Sequence, residues 1–485
     1  MKVLLVKPNN LSDHIQPSLG LAYLAAGIRD RHEVLILDCI KDDIDPTEFA
    51  QRVLQDFRPD LVGIQCYTFD LGNVRKLLKA TKDWNPEITT VVGGAHISSD
   101  PLRAFDNLKE NLDFAFAGEA ETGFPKFVDM LDDPTAQPDY FSIPGLVWMN
   151  DRKLVVNPGN MEDDLDRLGD PAWDLIRPDL YPEAQHGAFF KKFPIAPIIT
   201  TRGCPYSCTF CSAPILSGKE LRHHSKDYVL RNISHLYHDY GIREFHIVDD
   251  NFTQDIDYAK TIVRGIISLN LDISLAMPNG IRMDYLDDEL LELLKEAGLY
   301  LVSIAVESGN DEILKKMRKG TKVHKIHRDV KLIKKHGFDI AAFFILGFPE
   351  ETLETIQDTI DLSMELPLLR ANYFTFLPLP GTESYQRLEE NGEIDNVDWD
   401  NYYVMSAAYT PQGITREDLL AIKRKAFLNF YFRPRVLIQN LSSIKNFRHF
   451  KFLLKRFYNW VIVKDHPSTD FVVHPQAVPL SSALK

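Results

Sequence analysis

The chain has 485 residues, 45% of them hydrophobic and 26% charged, which excludes disorder, collagen and a disulfide-stapled module and predicts about three domains. With 55 Lys and Arg against 69 Asp and Glu the net charge is −14, which speaks against non-specific nucleic-acid binding by the whole molecule and leaves room for a local basic surface. No run of about 18 apolar residues occurs, so no membrane span is expected. The apolar start is too short for a signal peptide before Pro8, and the expected address is cytoplasmic. Five cysteines, three of them within eight residues, read as ligands in a reducing compartment and not as a disulfide framework.

Residues 1–150 alternate short apolar runs with helical patterns, the signature of an α/β doubly wound parallel sheet covered on both faces. Strands are predicted over 2–7, 33–38, 61–66, 89–92 and 114–116. Ligands of such sheets sit beyond the carboxyl ends of the strands, which here carry Pro8-Asn9-Asn10, Tyr67-Thr68, Gly93-Gly94-Ala95-His96 and Gly118-Glu119. No GxGxxG follows the first strand, so a dinucleotide is disfavoured, and tight turns are the plain alternative for the glycines.

Residues 151–193, rich in proline and carrying an acidic run at 162–166, read as a connecting strap. From 194 to 390 a second alternation predicts strands over 195–200, 244–248, 272–276, 301–306, 341–346 and 373–377, with helices such as 287–297 and 311–317 between them. Six βα units in a row make a (β/α)6 partial TIM barrel. Residues 391–485 read as a mainly helical C-terminal region. Between 421 and 460 it has ten basic residues, ten aromatics and no acid, and Ile444, Phe447, Leu454, Phe457 and Val461 share one helical face. Two readings stand: a helical cap on the barrel, or a peripheral surface for anionic lipid or a hydrophobic substrate. The tail from about 464 has little periodicity and is expected to fray.

The strongest chemical signal is Cys204, Cys208 and Cys211, spaced C-x3-C-x2-C after the first barrel strand. Three soft ligands suit an iron–sulfur cluster, and a [4Fe–4S] cube held by three cysteines leaves one iron open. Structural zinc is the alternative, but it wants four closed ligands. Cys39 and Cys66 lie on strands of the other domain, so only His223 or His224 could supply the fourth.

This spacing, with Phe210 just before the third cysteine, resembles the radical S-adenosylmethionine (SAM) superfamily. The resemblance implies that the three cysteines hold the cube, that SAM chelates its open iron, and that one electron cleaves SAM to methionine and a 5′-deoxyadenosyl radical. It further implies that Asp249 and Asp250 hold the SAM ammonium and that Glu307 and Ser308 hold ribose hydroxyls. Ile345 and Gly347, in Phe344-Ile345-Leu346-Gly347-Phe348-Pro349, would supply apolar surface and exposed backbone for adenine. Each strand-end acid is also explicable as a helix cap. Arg282 is placed either at the SAM carboxylate or in a structural ion pair.

The N-terminal half is similar to the cobalamin (B12)-binding-domain radical SAM proteins. The segments that carry this are Pro17-Ser18-Leu19-Gly20-Leu21-Ala22-Tyr23-Leu24-Ala25, Val92-Gly93-Gly94-Ala95-His96, Ala117-Gly118-Glu119-Ala120-Glu121 and Asp170-Pro171-Ala172-Trp173-Asp174. The resemblance implies cobalamin over Gly93, Gly94, Gly118 and Glu119. No DxHxxG occurs, since Asp13 and His14 are adjacent, so cobalamin would bind with no protein nitrogen below cobalt. The segment Phe430-Tyr431-Phe432-Arg433-Pro434-Arg435 resembles the branch that includes anaerobic magnesium-protoporphyrin cyclase. The expected function is hydrogen abstraction from an unactivated carbon followed by methyl transfer from methylcobalamin. The alternatives are a radical cyclisation, oxidation or rearrangement without methyl transfer, and a non-enzymatic carrier. The expected partners are a small hydrophobic substrate and an electron donor such as flavodoxin or ferredoxin, with no nucleic acid. No general acid or base is assigned.

Overall fold

The computed structural model describes residues 1–9, 15–133, 135, 137–183, 190–394, 397–399 and 402–442. Asp13, His14, the apolar stripe from Ile444 to Val461 and the tail lie outside the described residues. In the first sheet β1 (Lys2–Lys7) pairs in parallel with β2 (Glu33–Asp38) and β3 (Leu61–Gln65), and β4 (Thr89–Gly93) and β5 (Phe114–Phe116) continue it. Val3 and Leu5 face one apolar core while Leu4 and Val6 face the other. A strand buried on both faces needs no polar alternation, which is why it reads as an unbroken apolar run.

The sheet has seven strands, where the sequence predicts five. β6 (Leu146–Asn150) and β7 (Lys153–Val156) form an antiparallel hairpin on β5. The sheet therefore runs past residue 150 into the segment that reads as a strap. The turn between them holds Asp151 and Arg152 at φ 46° and 69°, a primed turn made without the usual glycine.

The helix Leu19–Ile28 is apolar all round because it is buried on two sides. Leu21, Ala25 and Ile28 belong to the core of the sheet, whereas Leu19, Ala22 and Tyr23 belong to the core of the barrel. The strap staples this contact: the Ala172 N–H donates to Ala22 O (3.1 Å), Asp174 takes a forked contact from Arg29 (2.5 and 2.7 Å), and the buried Trp173 indole donates to Asn232 (2.9 Å).

The barrel begins with β8 (Ile195–Ile198), which leads into β9 (Thr201–Arg202), paired antiparallel with β10 (Arg222–His223) across the cysteine loop. β8, β11 (Glu244–Ile247) and β12 (Ser274–Ala276) form one parallel triplet; β13 (Leu301–Glu307), β14 (Asp339–Leu346) and β15 (Arg370–Thr375) form the other. Bridges Leu275–Leu299 and Ile281–Ile304 join them into the six-stranded array. The predicted helices are present as Asp288–Glu296, capped by Asp287, and Asp311–Lys316, capped by Asn310. The helix Arg416–Tyr431 lies against β15, with Phe430 buried and the Tyr431 hydroxyl donating to Ala371 O (3.2 Å). This helix caps the barrel, and the part of the basic, aromatic segment from 443 onward lies outside the described residues. Beyond the helix Phe432, Leu437 and Ile438 are exposed.

Candidate cofactor site

Cys204, Cys208 and Cys211 lie on the loop between β9 and β10, partly accessible and unbridged. Gly203 precedes them at φ +99°, and a Cβ there would sit 2.0 Å from Glu220 O, so the close approach of the two loop arms requires glycine. The Cys204 N–H donates to Gly218 O (3.0 Å) and the Cys211 N–H to Cys208 O (3.2 Å). Thr209 ties the loop to the rest of the barrel through Met317 O (3.1 Å) and the Ser384 N–H (2.9 Å). Burial pushes the Cys211 thiol up to about 12 and raises that of Cys208, which Lys319 and Arg282 partly offset.

The donor set fits an iron–sulfur cube better than zinc. A cube spreads three thiolates over separate irons and leaves one iron open, whereas structural zinc wants four closed ligands. Of the two histidines that could complete a zinc site, His224 is engaged, whereas His223 Nε2 has no hydrogen-bond partner among the described residues. His224 is wholly buried, with Nδ1 at 2.9 Å from Asp166 and its ring stacked on Tyr228 at 3.9 Å. His223 faces Asp255 at 3.6 Å.

The strand-end acids separate into different jobs. Asp249 does not offer a carboxylate to an ammonium, because it is buried and already accepts hydrogen bonds from the N–H and hydroxyl of both Thr200 and Thr201. It anchors the turn that leads from β8 into the cysteine loop, and burial raises its pKa to about 6 despite those donors. Asp250 is solvent-accessible. Surrounding protein raises its pKa, with the Ser217 hydroxyl and Arg202 opposing. Tyr67, just past the end of β3, is 40% exposed, and burial together with the nearby Asp250 raises its pKa. The strand ends of the two domains thus come within electrostatic reach of each other at Tyr67 and Asp250.

Glu307 ends β13 at φ +67°, next to a bulge in its pairing with β14. A non-glycine residue held there costs about 1–3 kcal/mol, and such strain gathers at functional positions. Its carboxylate meets Lys319 at 2.8 Å, and Lys319 in turn stands 6.0 Å from the Phe210 ring centre and within electrostatic reach of Cys208. Glu307 and the cysteine loop are therefore brought together. Ser308 is not brought to them: its buried hydroxyl meets the Thr359 hydroxyl (3.2 Å) and accepts from the Asn310 N–H (3.2 Å). It ties the strand end to the helix Leu353–Glu365 and is not free for a ribose.

Phe210 and Ile345 meet in one small apolar cluster around Phe348. The expectation of exposed backbone at Gly347 is corrected at its N–H, which donates to Glu351 Oε2 (2.7 Å), as does that of Phe348 (3.0 Å). Glu351 is buried, and its pKa is pushed up to about 8 by that burial. Sequence reading misses it, because a glutamate ahead of a helix passes for an ordinary first-turn acid. Arg282 takes the structural role of its two: it pairs with Asp284 (2.7 Å) and lies 3.6 Å over the Tyr206 ring, inside the cysteine loop.

On the sheet side, Gly94 has φ +107° and a Cβ there would meet Cys66 O at 3.0 Å, so the turn alone explains it. Gly93 has only Phe116 nearby, at 3.8 Å, and Gly118, at φ +80°, has nothing within 4 Å of a Cβ. Gly118 is thus the one of these three strand-end glycines at which open space borders the backbone. Glu119 does not face that space as a corrinoid contact. Both its oxygens are taken by Arg222 (2.5 and 3.0 Å), and Arg202 stands 3.3 Å away.

The radical SAM superfamily model matches residues 198–363, and the B12 binding domain model matches residues 11–128. The chain is 30% identical to an uncharacterized methyltransferase of Pyrococcus horikoshii over 463 residues, 94% of this chain and 97% of that protein. It is also 30% identical to the cytidylyl-2-hydroxyethylphosphonate methyltransferase of Streptomyces wedmorensis, over 81% of this chain and 83% of that one. Its fold is similar to that of the cobalamin-dependent S-adenosylmethionine radical enzyme OxsB, with a TM-score of 0.70 at 16% identity, covering 94% of this chain and 70% of that one. With three thiols on the loop after the first barrel strand and a doubly wound sheet facing them, the chain belongs to the B12-binding-domain family of radical SAM enzymes.

Proposed function

We propose that the chain is a cobalamin-dependent radical SAM methyltransferase acting on an unactivated carbon of a small molecule. The observation that carries this is the pairing of Arg202 and Arg222, which flank the cysteine loop, with Glu119, the neighbour of the open glycine Gly118 in the B12 domain, which would bring two cofactors close together. The relatives named as methyltransferases support methyl transfer over a radical step alone. When bound, the cluster supplies the electron that cleaves SAM to a 5′-deoxyadenosyl radical, and the corrinoid supplies the methyl group.

The residues of the chain do the rest. Cys204, Cys208 and Cys211 would hold the cube on a loop that Thr209 and Asp249 anchor. Glu307 and Asp250 present carboxylates to the polar parts of SAM, and Phe210 and Ile345 its apolar wall. Lys319 balances the charge of Glu307 beside the cluster loop.

The electron comes from an external one-electron donor of the flavodoxin or ferredoxin kind. Past the helix that caps the barrel, the basic, aromatic composition of the segment 421–460 and its exposed Phe432, Leu437 and Ile438 support peripheral contact with anionic lipid or delivery of a hydrophobic substrate. Among the described residues no helix is long and apolar enough to cross a membrane.

The test is anaerobic reconstitution followed by product analysis. The wild type should hold about four irons, since four make up the cube, and release both 5′-deoxyadenosine and S-adenosylhomocysteine. Replacing the three cysteines by Ala should abolish both products. Deoxyadenosine without S-adenosylhomocysteine would overturn methyl transfer in favour of cyclisation, oxidation or rearrangement.

A further inference from the structure

Four charged side chains that hold no cofactor meet where the two domains touch. Glu119 and Glu121 follow the carboxyl end of β5. Arg202 ends β9, two residues before Cys204, and Arg222 is its cross-strand partner in β10. Arg222 grips Glu119 with two prongs, Nη2 to Oε1 at 2.5 Å and Nη1 to Oε2 at 3.0 Å. Arg202 reaches both acids, Glu119 at 3.3 Å and Glu121 at 2.8 Å. All four side chains are between 6% and 12% exposed, so the network is screened from solvent. Arg222 also donates to Glu162 O (2.8 Å) in the strap and to Ser217 O (3.0 Å) beside the cysteine loop.

A forked arginine–carboxylate contact fixes direction and distance as apolar packing does not. A buried ion pair is a poor way to gain net stability over an apolar pair of the same shape, so stability alone does not account for four charges here. What they specify is the register of one body against another. One end of the network is the strand end that borders the open glycine edge; the other is the hairpin that presents the cysteines.

We infer that Glu119 and Glu121 are positioning residues that set the cluster at a fixed distance and orientation from the corrinoid. Neither touches the reacting atoms. Each acts through an arginine of the cysteine-loop hairpin. This rests on the two-cofactor reading above. It also accounts for the paired acids of Ala117-Gly118-Glu119-Ala120-Glu121, one for each half of the arginine pair.

The experiment uses the full chain, reconstituted anaerobically with iron, sulfide and corrinoid, as wild type, Glu119→Gln and Glu121→Gln. Iron and corrinoid content are measured first. Pulsed electron paramagnetic resonance then reads the dipolar coupling between the reduced cluster and cob(II)alamin. The wild type should give one narrow coupling. Glu119→Gln should keep iron and corrinoid and lose that single value to a broad spread, because Arg222 no longer holds a carboxylate. Glu121→Gln leaves the forked contact in place and should broaden the coupling less, so the proposal stands or falls on this variant if Glu119→Gln does not fold. A residue that merely adds stability would lower the melting temperature and leave the coupling where it was. An unchanged coupling in the folded variants overturns the inference. Wild-type protein that takes up iron and no corrinoid overturns the two-cofactor reading itself, and the positioning role with it.

Discussion

Glu351 is a buried carboxyl whose ionisation the fold opposes, and Glu351→Gln makes that opposition measurable. One carboxylate oxygen accepts the Gly347 and Phe348 N–H groups, while the other has no hydrogen-bond partner among the described residues. Burial raises the group from its ordinary 4.5 to about 8. The folded chain therefore binds this proton more tightly than the unfolded chain. Its contribution to stability is complete below pH 4.5 and is lost as the pH rises towards 8. At about 1.4 kcal/mol per pH unit, the loss reaches at most about 5 kcal/mol. Glutamine keeps one oxygen for both N–H groups and places an amide where the unpartnered oxygen was, without a charge to titrate. Urea unfolding of iron-reconstituted protein without SAM, followed by circular dichroism, should show the two forms similar at pH 5 and the variant favoured at pH 9, by at most about 5 kcal/mol. Several domains unfold in such a chain, so the difference between midpoints is the quantity to compare. A variant-to-wild-type difference that is the same at both pH values would refute the reasoning.

Glu307→Gln removes the carboxylate beside Lys319, and SAM affinity by calorimetry should fall about tenfold, the worth of one charge-assisted hydrogen bond, with iron content unchanged. Unaltered affinity would remove Glu307 from the SAM site. Gly118→Asn fills the open space at φ +80° with a residue that tolerates the left-handed region, so iron uptake should persist while corrinoid uptake is lost. In the wild type the cob(II)alamin resonance should lack the three-line splitting of an axial nitrogen; a clear splitting would show a ligand that the missing DxHxxG does not offer.

The sequence shows the architecture where burial is two-sided or periodic and loses it where only a turn decides. β1 reads directly, because both of its faces need apolar residues. β6 and β7 do not, because Asp151 and Arg152 hold a turn that ordinarily announces itself with glycine. The cysteines are legible as chemistry because their spacing is local. The strand-end residues are legible only as positions, since whether a carboxylate meets a ligand or the backbone depends on neighbours distant in sequence. Asp249 and Asp250 are adjacent letters of one kind, yet the first is spent on Thr200 and Thr201 while the second stays exposed. The same holds for Glu119: next to a glycine at a strand end it reads as a ligand contact, and only the folded chain reveals arginines from some hundred residues away closing on it.

That difference has a direct consequence for how substitutions here should be read. Loss of activity on changing Asp249, Ser308 or Glu119 would not by itself place them against a cofactor, because each holds the frame from which Cys204, Glu307 or Gly118 projects. The frame and the site separate only when cofactor content and cofactor geometry are measured apart from turnover. Changes to the cysteines or Gly118 should empty a site. Changes to the frame should leave the cofactors bound and put them out of register, which is the expectation for an enzyme whose radical must form within reach of a second cofactor.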